Sequence, residues 1–444
     1  MKRLPLLFLL VLAMSASLPN QKLVLKTTLK QHWKTKIGCT SYRTIPLLLD
    51  GKIVIGSNGS YFRDYAMDSG NGVYILNSKN GKVINNFENQ QFGDMDVNGV
   101  LNLNGLIYFG NDNEEFLCID QKGNTKWRIA ASGDIEHRPI LLQNNGKPMI
   151  VFATETGQIQ ALDPKTGKEI WNFYDKKFSG WKMGENRSLF KIKMYFSEDC
   201  IFFNEPSLAD LNGDGVSDLI YNSKVGDFTA INGKTGKLLW EINQADNDNC
   251  YTNMGREKPM IIGKGEKSQI MVLLQEKNTD KEFIALYNAK GKLIKRITSS
   301  ISLGTPLLSQ TSGVFMTDKV IIIPSDVPNE MKVIPIEFPA FENEKGVNVV
   351  KYYYQGQVAA NKVIFNDEPC AVVVLQSNVA SEMMLVGLNS GKVCYHTNLP
   401  GSSEFPPYVE DVTNDGKLDF IFGCYDENLY CFDLDIDNSH LITK

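Results

Sequence analysis

The chain has 444 residues, of which 43% are hydrophobic and 22% charged, with a net charge of −5; this is globular composition and excludes a disordered or collagen-like chain. Lys+Arg number 46 against 51 Asp+Glu, so there is no basic excess to neutralise a phosphate backbone and nucleic acid is not an expected partner. No stretch reaches the ~18 consecutive apolar residues of a membrane span, and a soluble monomer is expected.

In chain order, Met1-Lys2-Arg3 precedes an apolar stretch from Leu4 to Met14, with small residues at Ala13, Ser15, Ala16 and Ser17. Charge, apolar run and small residues in that order read as a secretory signal over residues 1–17. The protein is therefore expected to be exported, to a periplasm, a cell surface or the medium, with one domain over residues 18–444. Next, Lys30 to Ile37, which contains Trp33, reads as an outer strand without inner strands before it.

A recurring unit follows. GVYILNSKNGKVINNF (Gly72 to Phe87), QIQALDPKTGKEIWNF (Gln158 to Phe173) and DFTAINGKTGKLLWEI (Asp227 to Ile242) align without gaps as strand, tight turn and strand. Gly81, Gly167 and Gly236 stand where such a turn requires a positive φ. Looser copies are EFLCIDQKGNTKWRI (Glu115 to Ile129), EFIALYNAKGKLIKRI (Glu282 to Ile297), MMLVGLNSGKVCYHT (Met383 to Thr397) and the truncated NLYCFDLD (Asn428 to Asp435). Upstream of most copies a proline opens another apolar strand, at Pro46, Pro139, Pro206, Pro259, Pro306 and Pro407, a position where proline costs no ladder hydrogen bond. Pro206 to Pro259 is 53 residues and Pro259 to Pro306 is 47, close to the roughly 40 to 50 of a propeller blade. The longer gap of 67 from Pro139 to Pro206 fits an insertion at about 174–204, rich in aromatic and basic residues. The pattern decays between Thr317 and Gln357, and whether that stretch forms a full blade stays open.

These residues resemble the PQQ-like (quinoprotein) propeller repeat, whose A-x-D-x-x-T-G-x-x-x-W signature appears as Ala161, Asp163, Thr166, Gly167 and Trp171, and again as Ala230, Asn232, Thr235, Gly236 and Trp240. The resemblance implies an all-β fold, a single β-propeller; counting the units gives about eight four-stranded blades, and because the last unit is incomplete the N-terminal strand is expected to complete that blade, closing the ring and hiding two edges. It also implies that Trp33, Trp127, Trp171 and Trp240 dock each blade onto its neighbour.

Asp210-Leu-Asn212-Gly-Asp214-Gly-Val216-Ser-Asp218 matches a calcium loop, in which alternating oxygen donors point inward and glycine permits the sharp turn. The expected donors are Asp210, Asn212, Asp214, the Val216 carbonyl and Asp218. Position twelve is Tyr221 rather than the glutamate of an EF-hand, so the loop belongs to a β context, similar to FG-GAP-like propeller repeats. A second copy offers Asp411, Thr413, Asp415, the Lys417 carbonyl and Asp419, and a third, from Asp94 to Asn102, carries fewer charges. Calcium is expected as a structural ion.

Of eight cysteines, Cys200 and Cys250 are the pair singled out for a disulfide. The cysteines Cys118 and Cys431 hold equivalent strand positions. The resemblance raises a dehydrogenase, but the paired adjacent cysteines of the family's alcohol dehydrogenases and a C-x-x-C-H haem segment are both missing from the sequence, so PQQ is not an expected cofactor. His32, His137, His396 and His440 show no ligand spacing. A non-catalytic scaffold for a protein or glycan partner is the expectation; the alternative is a PQQ-dependent dehydrogenase or a polysaccharide-cleaving propeller enzyme, whose carboxylates could converge from separate blades.

Overall fold

The computed structural model describes residues 29–60, 70–87, 95–174, 204–222, 227–243, 250–251, 258–276, 279, 281–304, 306–309, 314–336, 338, 341–342, 348–349, 355–376, 381–434 and 439–441. Eight blades of antiparallel strands stand in a ring. Blade 1 comprises Leu47–Leu49, Lys52–Asn58, Asn71–Asn77 and Val83–Phe87; blade 2, Val100–Leu103, Leu106–Gly110, Glu115–Asp120 and Thr125–Ala130; blade 3, Ile140–Asn144, Lys147–Ala153, Gln158–Leu162 and Glu169–Tyr174. Blade 4 comprises Ser207–Ala209, Asp218–Asn222, Phe228–Ile231 and Leu238–Ile242; blade 5, Met260–Ile262, Gln269–Glu276, Glu282–Asn288 and Leu293–Thr298.

Blade 6 falls in the stretch where the sequence pattern decays. Its strands are Phe315–Met316, Val320–Pro324 and Met331–Pro335, and an isolated bridge from Pro306 to Thr317 stands in the innermost place. Its outer turn holds Pro328 and a positive φ at Asn329 instead of the threonine-glycine pair. Blade 7 comprises Gln355–Phe365, Glu368–Gln376, Ser381–Gly387 and Val393–Asn398. Its inner strand also pairs in parallel with Leu308–Ser309, a departure from the simple meander of the other blades. In blade 8, Tyr408–Glu410, Asp419–Gly423 and Asn428–Asp433 are completed by Lys30–Lys36, whose partner is the last of these three.

Each third strand is buried from both sides because the blades stack face to face. In blade 1, Val73 and Ile75 enter the core shared with blade 2, while Tyr74 and Leu76 enter the core shared with blade 8. The two-residue period of a strand divides its side chains between two neighbours. Eight such cores are present, one at every boundary from blade 1 with 2 round to blade 8 with 1, and their unbroken succession closes the ring.

Candidate functional site

Four tryptophans lie across blade boundaries. The indole N–H of Trp33 donates to the Ser78 carbonyl at 2.9 Å, Trp127 to Pro164 at 3.1 Å, Trp171 to Gly233 at 3.1 Å and Trp240 to Ala289 at 2.9 Å. Each ring covers the turn glycine of the next blade: a Cβ on Gly81, Gly167, Gly236 or Gly291 would stand 2.5–2.8 Å from the indole, and all four have positive φ. Glycine is thus required at these turns by backbone conformation and by contact together. In blade 1, Asn85 occupies the place of the tryptophan and its amide sits over Gly123.

The outer turns of blades 1 to 5 are each held by an Asx side chain. Asn77, Asp120, Asp163, Asn232 and Asn288 accept backbone N–H groups of their own turns. Blade 7 has Gly387 in that position. There Glu368, on the adjacent strand, accepts from the Asn389 and Ser390 N–H groups at 2.9 and 2.7 Å.

The first acidic loop joins the first two strands of blade 4, and the second holds the same place in blade 8, on the opposite side of the ring. Both have one framework. Asp210 accepts from Gly213, Asp214 and Gly215, and Asp411 from Asp415 and Gly416. The Asn212 side chain accepts from the Asp214 N–H. Asp214 accepts from the Val216 N–H and Asp415 from the Lys417 N–H, both at 3.0 Å. Asp218 accepts from Leu211 and Gly233, whereas Asp419 accepts from Thr413 and lies 3.1 Å from His32 Nε2. Asn232 joins loop to turn, donating to Asp214 at 2.8 Å. Burial, followed by the nearby Asp214 and Asp210 charges, raises Asp218 to about 6. Burial also raises Asp419.

This donor set suits a hard cation: crowded carboxylates, an amide oxygen and a backbone carbonyl in a glycine-bearing turn. In the described conformation the carboxylates are directed at backbone N–H groups, and among the described residues no three His, Cys, Asp or Glu side chains converge on a metal position. The third acidic segment is different in kind. It leads into blade 2, Asp94 lies outside the described residues, and Asn98 bonds Ser41 and Glu136 across blade boundaries.

Sequence reasoning missed a relay of charge at the blade entrances. Arg43 pairs with Glu136, while Glu205 receives Arg138 at 2.9 Å and Lys258 at 2.6 Å. Arg138, Glu205 and Lys258 each directly precede the proline that opens a blade, the one signal that could have singled them out. Burial opposes ionisation of Glu205, but Lys258 and Arg138 outweigh it and hold the carboxyl at about 2. His137 is buried beside them, its Nδ1–H donating to the Arg138 carbonyl, 2.8 Å away. Burial lowers His137 to about 4.

His396 stands 3.2 Å from Glu382 inside blade 7, and the His440 side chain lies outside the described residues. Cys39, Cys118, Cys370, Cys394, Cys424 and Cys431 are not in disulfides. The side chains of Cys200 and Cys250 and the insertion at 174–204, save for its end residues, lie outside the described set.

Repeated hairpins with their tryptophan seats, arrayed as a ring, define a β-propeller. Residues 73–258 match the family described as outer membrane protein assembly factor BamB. The fold is similar to that of BamB from Moraxella catarrhalis (10% identity, TM-score 0.51, covering 92% of this chain and 100% of that one). It is also similar to Sqt1 of Saccharomyces cerevisiae (11%, 0.54, 92% and 100%) and to the quinohemoprotein alcohol dehydrogenase of Comamonas testosteroni (13%, 0.51, 91% and 76%). At these identities the likeness is one of fold. No curated protein sequence matches the chain.

Proposed function

We propose that this propeller is an exported, non-catalytic scaffold that presents its surface to a protein or glycan partner, as a monomer whose domain begins after removal of residues 1–17. The observation that carries the reading is the relay Arg43–Glu136 and Arg138–Glu205–Lys258. Charged groups gathered at the blade entrances are spent on one another across boundaries, which favours a rigid platform over a reaction centre. The match of residues 73–258 to an assembly-factor family supports the same class of role. Structural calcium in the two acidic loops belongs to this proposal on the chemistry of the donors, since Asp210 Oδ2 and both Asp411 carboxylate oxygens accept a single backbone N–H each and such an oxygen keeps a second lone pair.

The test is affinity capture with the full-length protein from its native envelope fraction or culture medium, paired with an assay for dye-linked oxidation after addition of PQQ and calcium. A stoichiometric protein or glycan partner without oxidation is the expected result. Quinone absorbance with turnover would replace the scaffold by a dehydrogenase.

A further inference from the structure

In an antiparallel blade the first and third strands run the same way, so the turn that ends the third strand lies at the end of the blade opposite its entrance. At that end the outer turns of blades 1 to 5 form an unbroken arc, because each turn glycine, from Gly81 to Gly291, is covered by the outer strand of the blade before it. Lysines flank these glycines in repeat: Lys79 and Lys82 in blade 1, Lys165 and Lys168 in blade 3, Lys234 and Lys237 in blade 4. Lys290 and Lys292 continue the series in blade 5, and Lys122 stands in blade 2. All are exposed, Lys234 in part. Carboxylates nearby are held by other donors: Asp120 by Lys126, Asp163 by its own turn, Glu169 by Gln160 and Asn172, and Asp214 by Asn232. Beside the lysines the outer strands bulge, and the extra residue is Ile84 in blade 1, Ile170 in blade 3 and Ile294 in blade 5. A bulge re-aims its side chain, and together with Val83, Leu238 and Leu293 these aliphatic groups are between 38% and 51% exposed.

We propose that this arc is a docking surface for an anionic lipid bilayer, on which the propeller rests by its turn end. Ring repetition sets copies of one turn at one height, and a level row of cations and aliphatic groups fits a planar anionic partner. Lysines close to such a surface gain from the negative potential of its headgroups, while aliphatic side chains enter the boundary between headgroups and acyl chains. The chain as a whole carries a net charge of −5, so the positive rim is segregated charge rather than the excess of a basic protein. Blades 6 and 8 interrupt the row. Asn329 and Glu330 stand in the turn of blade 6, and blade 8 has no turn into its outer strand, because Lys30–Lys36 comes from the other end of the chain. Seated on blades 1 to 5, the propeller turns its blade entrances, with Arg138, Glu205 and Lys258, away from the lipid.

The experiment is co-sedimentation of the full-length protein with vesicles of phosphatidylcholine alone and of phosphatidylcholine with an equal part of phosphatidylglycerol, at low and at high salt. Tighter binding to the anionic vesicles is expected, weakened by salt as screening shortens the reach of the lysines. The triple change Lys165→Glu, Lys168→Glu and Lys237→Glu should lower affinity for the anionic vesicles at least about tenfold in a protein whose circular dichroism is that of the wild type. The pair Ile84→Ser and Ile170→Ser should lower it too, with the salt response kept. The apolar stretch Leu4 to Met14 is common to every sample and drops out of these comparisons. Binding indifferent to phosphatidylglycerol, or a folded triple variant that binds as the wild type does, would overturn the surface. A serine pair with full affinity would overturn the bilayer as its occupant and leave an acidic polypeptide as the partner of the lysines.

Discussion

Trp33 lies across Gly81, so the first described strand is clamped by the turn of blade 1 while its backbone pairs with blade 8. Trp33→Ala removes a buried indole and its bond to Ser78 at an expected cost of about 3–5 kcal/mol. Because this one side chain joins two blades, hydrogen exchange should rise first along Lys30–Lys36 and Asn428–Asp433. Denaturant unfolding with exchange mass spectrometry checks both points; uniform loss of protection over all blades would contradict the clamp.

Glu368 and Gly387 exchange a role that other blades give to one residue. Glu368→Ala should cost about 1–2 kcal/mol, the loss of charge-assisted bonds to two backbone donors. Gly387→Asn places a Cβ 2.5 Å from the Glu368 carboxyl, yet that carboxyl is the mobile end of its chain and the new amide supplies the cap. The single change should be close to neutral, and the double variant should recover most of the loss. A double-mutant cycle with additive energies would refute the exchange.

Acid sensitivity has two windows. Burial depresses His137 from 6.5 to about 4, so the unfolded chain takes up the proton first and stability is complete above about 6.5 and drains as pH falls towards 4. By the linkage relation the full effect is about 3 kcal/mol. Glu205, depressed from 4.5 to about 2, contributes stability present above about 4.5 and lost below it. His137→Gln should flatten urea midpoints between pH 6.5 and 4.5 and leave the lower window in place. An unchanged slope in the upper window would remove His137 from the account.

Calcium should raise the melting temperature and chelation should lower it. At free calcium a hundredfold above the dissociation constant each loop adds about 2.7 kcal/mol. Asp214→Ala and Asp415→Ala should each remove part of the response and together abolish it. Calorimetry with and without chelator decides this, and a wild-type protein indifferent to chelation would end the calcium reading.

The hairpins were legible because their turns repeat one chemistry: an Asx acceptor, a glycine under an indole, and the indole itself four residues later, as in Asp163, Gly167 and Trp171. The closing strand was legible for the same reason, since Trp33 carries the outer-strand signature without a hairpin of its own. The charge relay was hidden because Arg138 and Glu205 are 67 residues apart and Glu205 and Lys258 are 53 apart; their meeting depends on the angle between blades, which no local pattern encodes. The cap of blade 7 was hidden for a related reason: Glu368 sits on a neighbouring strand, outside the turn where the repeat keeps its acceptor. In blade 6 the stacking is kept by Ile321, Ile322 and Met331, although the turn signature has gone.

The pairing of Lys34 with Asp426 joins residues 392 positions apart, and it sets the order of events during synthesis. The first strand leaves the ribosome long before its partner exists, and an unpaired edge must stay out of trouble in the interval. Closing so long a loop is slow, and a nascent chain held open for that time is exposed to aggregation. The recurrence of Lys30, Lys34 and Lys36 along that strand supplies what such a wait demands, a lone edge charged enough to discourage strangers until the final blade is made.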